Sequence, residues 1–131
     1  MTERKIDLTS LRRALAALDA ALAVEDPDDI TRDGVIQRFE YTFELSWKLM
    51  KRHLEWNGTL DIYKLSKKDI FRQAARGGLI ASPERWFLHH DARNDSTHAY
   101  DETIAKKVFA SAKHFAGDAH ELLANLELYH A

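Results

Sequence analysis

Apolar positions recur along most of this chain with a helical period. Leu8, Leu11, Leu15, Leu18 and Leu22 alternate intervals of three and four, which lines one face of a helix. The acidic run EDPDD (25–29) closes that segment, because Pro27 has no amide to donate and clustered carboxylates favour a turn or a new helix start. A second, longer helix is predicted from about Thr31 to Trp56, with Asn57-Gly58 as its stop. LDIYKL (60–65) has some strand-like alternation but is short, and reads as a connector. Ser66 and Asp69 have capping-box spacing ahead of a short third helix that ends at Gly77-Gly78. Ser82-Pro83-Glu84 starts a fourth helix reaching Arg93 or Asn94: a hydroxyl cap, a proline at the first helical position and a carboxylate facing the helix dipole. Asp101-Glu102 opens a fifth, with Ile104, Val108, Ala112, Phe115, Ala119, Leu122, Leu126 and Tyr129 on its apolar stripe. Gly117 costs that helix roughly 1 kcal/mol relative to alanine, and predicts a close backbone approach. The expected fold class is all-α, an up-and-down bundle of about five helices forming a single domain over residues 1–131.

The second helix is apolar over more of its circumference than a surface helix needs. Ile36, Phe39, Phe43, Trp47, Met50 and Leu54 form one stripe, which Val35, Leu45 and Leu49 widen. At 100° per residue the arc is about 200°, against the 100° or somewhat more of an ordinary amphipathic helix. Two readings fit: the helix is central to the bundle, or it also lines a homodimer interface rich in aromatic and Met side chains.

Composition narrows the chemistry. The chain has 131 residues, 45% apolar and 31% charged, as in an ordinary globular protein. It has no cysteine, which excludes disulfides, thiolate nucleophiles and thiolate metal sites and fits a cytoplasmic location. MTERKIDLTSLRR lacks the apolar core of a secretory leader, and LRRALAALDAALAV is too short and too interrupted to span a bilayer, so no membrane association is expected. A net charge of −2 gives no global attraction to nucleic acid, so any RNA contact must come from a local cleft.

The most polar connection is RNDSTHAY (93–100). Trp86, His90 and Arg93 fall on one face of the fourth helix, aimed at this turn, and a short loop can return His98 toward Arg93. A guanidinium offers a planar fork to phosphate oxygens, and an imidazole can take or give a proton near neutrality. Together they suit metal-free cleavage of an RNA phosphodiester: His98 moves the proton of a 2′-hydroxyl or leaving oxygen while Arg93 stabilises the phosphoryl charge. The alternative is that Asn94, Asp95, Ser96 and Thr97 only cap helix ends. One Arg and one His are a thin set unless a second copy faces them across a dimer.

Other groupings are weaker. His89 and His90 point about 100° apart on a helix, and with His98, Asp91 and Asp95 they lack the spacing of a metal site, so none is expected. Glu40 and Glu44 lie one turn apart; Glu44 precedes Lys48 by four and reads as half of a solvated ion pair, whereas Glu40 borders the apolar stripe near Trp47. Lys106, Lys107 and Lys113 can form a basic rim beside the turn. No phosphate-cradling Gly-rich loop or nucleophile elbow is present, and no cofactor is implied.

Taken together, RNDSTHAYDE (93–102) resembles the Arg-x-x-x-x-His-x-Tyr signature of the HEPN superfamily. DGVIQRFEYTFELSWKLMKRHLE (33–55) and FRQAARGGLIASPERW (71–86) resemble one branch of it, the nucleotidyltransferase substrate-binding proteins or HepT-type toxins. The resemblance runs nearly the whole chain. It implies a helical homodimer with both copies of the Arg/His pair in one cleft, and a metal-independent ribonuclease toxin. It also implies a partner, a minimal nucleotidyltransferase antitoxin that transfers AMP from ATP to the motif tyrosine. Carried over by position, Arg93 and His98 are the catalytic pair, Tyr100 is the modification site and Asn94 is the motif neighbour that orients them; Glu40, singled out by its place at the margin of the apolar stripe, is the other supporting residue. The same branch carries a second reading, a non-catalytic substrate- or nucleotide-binding subunit beside its nucleotidyltransferase. In one respect this chain departs from the branch: Ala92 stands directly before the motif Arg, where an acidic residue is often found.

Overall fold

A computed structural model describes residues 4–131; the first three residues of the amino-terminal stretch lie outside it. Five helices make up the bundle: α1 (Thr9–Leu22), α2 (Asp29–Trp56), α3 (Lys67–Arg76), α4 (Pro83–Asp95) and α5 (Glu102–His130). Single turns of 3-10 helix at Ile62–Lys64 and Ser96–His98 interrupt the connections before α3 and α5. Each helix packs on the one that follows it in sequence, and α5 returns to lie against α1 and α2. The expected all-α bundle is therefore the fold.

Local signals set most of the boundaries. Asp28 Oδ1 accepts from the Thr31 amide at 2.8 Å, so α2 begins two residues before the expected Thr31. The Ser66/Asp69 capping box is complete, and Ser82 Oγ accepts from the Arg85 amide with Pro83 next in line. Asp101 Oδ1 caps α5 by accepting from Thr103 and Ile104. Gly58 and Gly78 both follow helix ends at positive φ, +93° and +80°, where a side chain would be strained.

α2 is the central helix. Val35, Phe39, Phe43 and Met50 are fully buried, and α2 touches each of the other four helices. Its aromatic residues interlock with theirs: Phe39 meets Phe115 edge-on at 5.1 Å, Phe43 lies against Trp86 at 6.2 Å, and Trp86 meets Phe115 at 5.6 Å. The wide apolar arc is mostly consumed inside one chain, so it is not by itself a sign of a dimer.

Three local expectations are corrected. Gly117 makes no close approach: it is exposed, with open space where a Cβ would stand. Tyr129 leaves the core stripe and is 44% exposed, while His130 is buried in its place because it has partners across the bundle. Glu44 does not pair with Lys48; its carboxylate accepts from the Trp47 indole at 3.2 Å. The LDIYKL connector carries the first 3-10 turn and buries Ile62.

Candidate active site

The polar turn is built by the abrupt end of α4. Helical geometry continues to Asp95, then tightens into the 3-10 turn, held by Ala99 N–H to the Ser96 carbonyl (3.1 Å) and Asp101 N–H to the His98 carbonyl (3.0 Å). A helix end leaves carbonyls without partners. Two are met by side chains: Ser96 Oγ lies 2.7 Å from the Arg93 carbonyl, and Thr97 Oγ1 donates to the Asn94 carbonyl at 3.0 Å.

Arg93 points from the last turn of α4 toward α2. Its Nη1 donates to Ser96 Oγ at 3.1 Å and lies 3.4 Å from Glu40 Oε2. Ser96 Oγ in turn lies 2.6 Å from the same carboxylate oxygen. Ser96 is 6% exposed, and the Arg93 and Glu40 side chains are 28% and 29% exposed. Arg93 Nε is buried with no hydrogen-bond partner. The guanidinium is thus held at one corner, through Nη1.

His98 makes a different contact. It is exposed, and its Nδ1 lies 3.4 Å from the hydroxyl of Tyr100, which is 86% exposed. Within this chain the turn therefore does not bring His98 into hydrogen-bond contact with Arg93. Asn94 is exposed and makes no hydrogen bond to either; the contacts that orient Arg93 come from Glu40 and Ser96. Ala92 is 6% exposed and belongs to the core, so an acid there would be buried, and the carboxylate beside Arg93 arrives from α2. A cleft of about 240 Å³ opens between α2 and the turn, lined by Asp33, Ile36, Gln37, Glu40, Ser96 and Tyr100, with Ala99 at its edge.

The charges around the turn are largely answered. Lys107 lies 3.5 Å from Asp95, Lys106 lies 3.8 Å from Glu102, and Lys113 sits over the Phe109 ring. Arg32, which sequence inspection passed over, grips Glu102 with both terminal nitrogens at 2.8 and 3.2 Å, tying the start of α2 to the start of α5. The hydrogen bonds of that grip are the main reason the Glu102 carboxyl is held below its usual range. His89 and His90 separate as their spacing requires. His89 Nε2 meets Asp118 at 2.6 Å and His90 lies against Phe43, and burial lowers both imidazoles. Among the described residues no three His, Cys, Asp or Glu side chains gather as metal ligands, and no helix is long and apolar enough to cross a membrane.

Fold and cleft together define a class: a helical bundle presenting an Arg/His/Tyr turn against a carboxylate on its central helix. The family described as nucleotidyltransferase substrate binding protein like matches residues 6–128, and the chain belongs to that family. A Haemophilus influenzae protein described as probable ribonuclease HepT is 41% identical over 95 residues, which are 71% of this chain and 65% of that protein. The matched stretch thus spans just under two thirds of that relative. A solved Haemophilus influenzae structure, described as the fold of a substrate binding domain of a nucleotidyltransferase, superposes with a TM-score of 0.87 at 34% identity. It covers 92% of this chain and 99% of the other. A crystal structure from Thermus thermophilus gives 0.80 at 32% identity, over 88% and 98%.

Ser96 is the site residue that sequence reading missed, because a serine at a helix end is ordinarily a cap and nothing local marks its second partner. Glu40 was visible only as a carboxylate at the margin of an apolar stripe.

Proposed function

We propose that this protein is a metal-independent endoribonuclease of HepT type, acting as a homodimer. The observation that carries the reading is the partly buried Arg93 held by Glu40 and Ser96, with His98 and Tyr100 exposed on the turn that follows. Arg93 receives a phosphodiester, its positive charge meeting the negative charge that grows on the phosphoryl oxygens. The ribose O2′ attacks the adjacent phosphorus, the O2′–P bond forming as the P–O5′ bond breaks. One imidazole takes the 2′ proton and a second delivers a proton to the departing O5′. Each chain offers one His98, so the two roles fall to the two copies in a dimer cleft. The products are a 2′,3′-cyclic phosphate and a 5′-hydroxyl end.

The partner is a minimal nucleotidyltransferase that acts as antitoxin. The exposed phenol of Tyr100 suits it as acceptor: its oxygen attacks the α-phosphorus of ATP, pyrophosphate leaves, and the phenolic proton goes to the partner's base. AMP on Tyr100 would stand over the cleft and beside His98.

The test is cleavage of RNA by purified, unmodified protein in EDTA, beside His98→Ala and Arg93→Ala. Activity lost in both variants, with the helical signal and melting transition intact, is the expected result. Equal cleavage by all three proteins would refute it.

A second reading is a non-catalytic subunit that presents a substrate or nucleotide to the nucleotidyltransferase. The absence of an Arg93–His98 contact and the paired lysines around the turn favour it. Nucleotide or partner binding by a dimer that cuts no RNA would decide for it.

A further inference from the structure

Glu40 and Arg93 form a long ion pair, and the shorter path between them runs through a hydroxyl. The direct Nη1–Oε2 separation is 3.4 Å, whereas Arg93 to Ser96 is 3.1 Å and Ser96 to Glu40 is 2.6 Å. A hydroxyl has one proton and two lone pairs. Arg93 Nη1 can only donate, so Ser96 Oγ accepts from it and keeps its own proton to give. Two acceptors compete for that proton, Glu40 Oε2 at 2.6 Å and the Arg93 carbonyl at 2.7 Å. The ionised carboxylate is the stronger acceptor. The chain of donors therefore runs guanidinium to hydroxyl to carboxylate.

The placement is well shielded. Ser96 is 6% exposed, at the C-terminal cap of α4, and the next residues are the turn that carries His98. Bonds that cross little water are stronger than the same bonds on the surface, and they hold a single rotamer. Among the described residues, all hydrogen bonds of the Arg93 side chain use Nη1, while Nε is buried and has no partner. Without Ser96, the direct contact to Glu40 is too long to fix the plane of the guanidinium.

We propose that Ser96 is the positioning residue of this site: it couples Glu40 to Arg93 and so sets the plane in which the guanidinium meets a phosphate. The inference rests on the ribonuclease reading for its kinetic consequence but not for its structural one. Ser96 acts through Arg93. A guanidinium free to swing still binds an anion, so the loss falls on turnover more than on affinity. A misplacement of about 1 Å in a positioned group lowers turnover by up to roughly 100-fold.

The experiment uses the full chain as Ser96→Ala, Ser96→Thr, Glu40→Gln and the double variant Ser96→Ala/Glu40→Gln. RNA cleavage is followed at saturating and limiting substrate. In parallel, the Arg93 Nε–H resonance is followed by nitrogen-15 NMR, assigned by its loss in Arg93→Lys. The expected result is a kcat lowered about 10- to 100-fold in Ser96→Ala with KM little changed, recovery in Ser96→Thr, and a double variant no worse than its poorer single. The Arg93 resonance should move or broaden in Ser96→Ala and in Glu40→Gln alike. An unshifted resonance in Ser96→Ala, or additive losses in the double variant, would overturn the coupling. Should the wild-type chain cut no RNA, the ribonuclease reading fails while the resonance still decides for or against Ser96. Should Ser96→Thr be too bulky to fold, the double variant carries the test.

Discussion

Nδ1 of His53, near the end of α2, lies 2.8 Å from Nε2 of His130 at the end of α5. The Ile6 amide donates to the remaining nitrogen, His130 Nδ1, at 3.2 Å. That bond makes Nδ1 of a neutral His130 the acceptor, so its Nε2 carries the proton and donates to His53. The three groups clamp the start of the chain to the ends of the two longest helices. Both rings are buried, and among the described residues no carboxylate is bonded to either.

This clamp predicts acid sensitivity. Burial first, and the nearby His130 second, lower His53 from the ordinary 6.5 to about 4, and burial with Lys5 lowers His130 as well. Between those limits the unfolded chain binds protons that the folded one refuses, so stability is greatest above about pH 6.5 and falls as pH drops toward 4. The expected loss from His53 is on the order of 2 kcal/mol. Urea midpoints at pH 7.5 and 5 would measure it, and His53→Gln, whose amide oxygen can still accept from His130, should flatten the difference. Equal midpoints in the wild-type protein at the two pH values would contradict this account.

Arg93→Lys keeps the charge and discards the planar fork. Its ammonium can satisfy Ser96 or Glu40 but cannot also present a second coplanar donor to phosphate. RNA cleavage should fall on the order of 100-fold with the melting temperature unchanged within a degree or two. Wild-type turnover by Arg93→Lys would show that only charge matters at this position.

Tyr100→Phe should leave RNA cleavage intact yet abolish transfer of AMP, because only the phenolic oxygen is removed from a side chain exposed to solvent. Intact mass after incubation with the partner nucleotidyltransferase and ATP gives the answer. A mass gain of AMP on the Phe variant would place the acceptor elsewhere.

Two glycines should respond in opposite directions. Gly117 lies on the exposed face of α5 with open space at its missing Cβ, so Gly117→Ala should stabilise by about 0.5–1 kcal/mol. Gly78 sits at φ +80°, where alanine is strained, and Gly78→Ala should destabilise by about 1 kcal/mol. Thermal melting of the pair settles both, and a shift of the same sign in each would refute the argument.

A dimer is required for two His98 side chains to share one phosphodiester. Light scattering at micromolar concentration should give twice the mass of the chain. A monomer that still cleaves RNA would remove the two-imidazole mechanism.

By itself the sequence determined most of the helix boundaries, which faces are apolar, and that Arg93, His98 and Tyr100 share one turn. Those features are local: a cap such as Ser66 or Asp101 meets an amide two or three residues away, and a stripe repeats with the pitch of its own helix. The partners across the bundle were decided only by tertiary structure. On spacing Glu40 was one turn from Glu44 at the margin of an apolar stripe, with nothing local to name Arg93, and the stripe of α5 placed Tyr129 rather than His130 in the core. Packing α2 against α4 and α5 fixed the rotation and offset of each helix, which sent Glu40 to Ser96 and Arg93 and joined His130 to His53. Those offsets follow from the summed fit of many apolar side chains, and no short stretch of sequence records that sum.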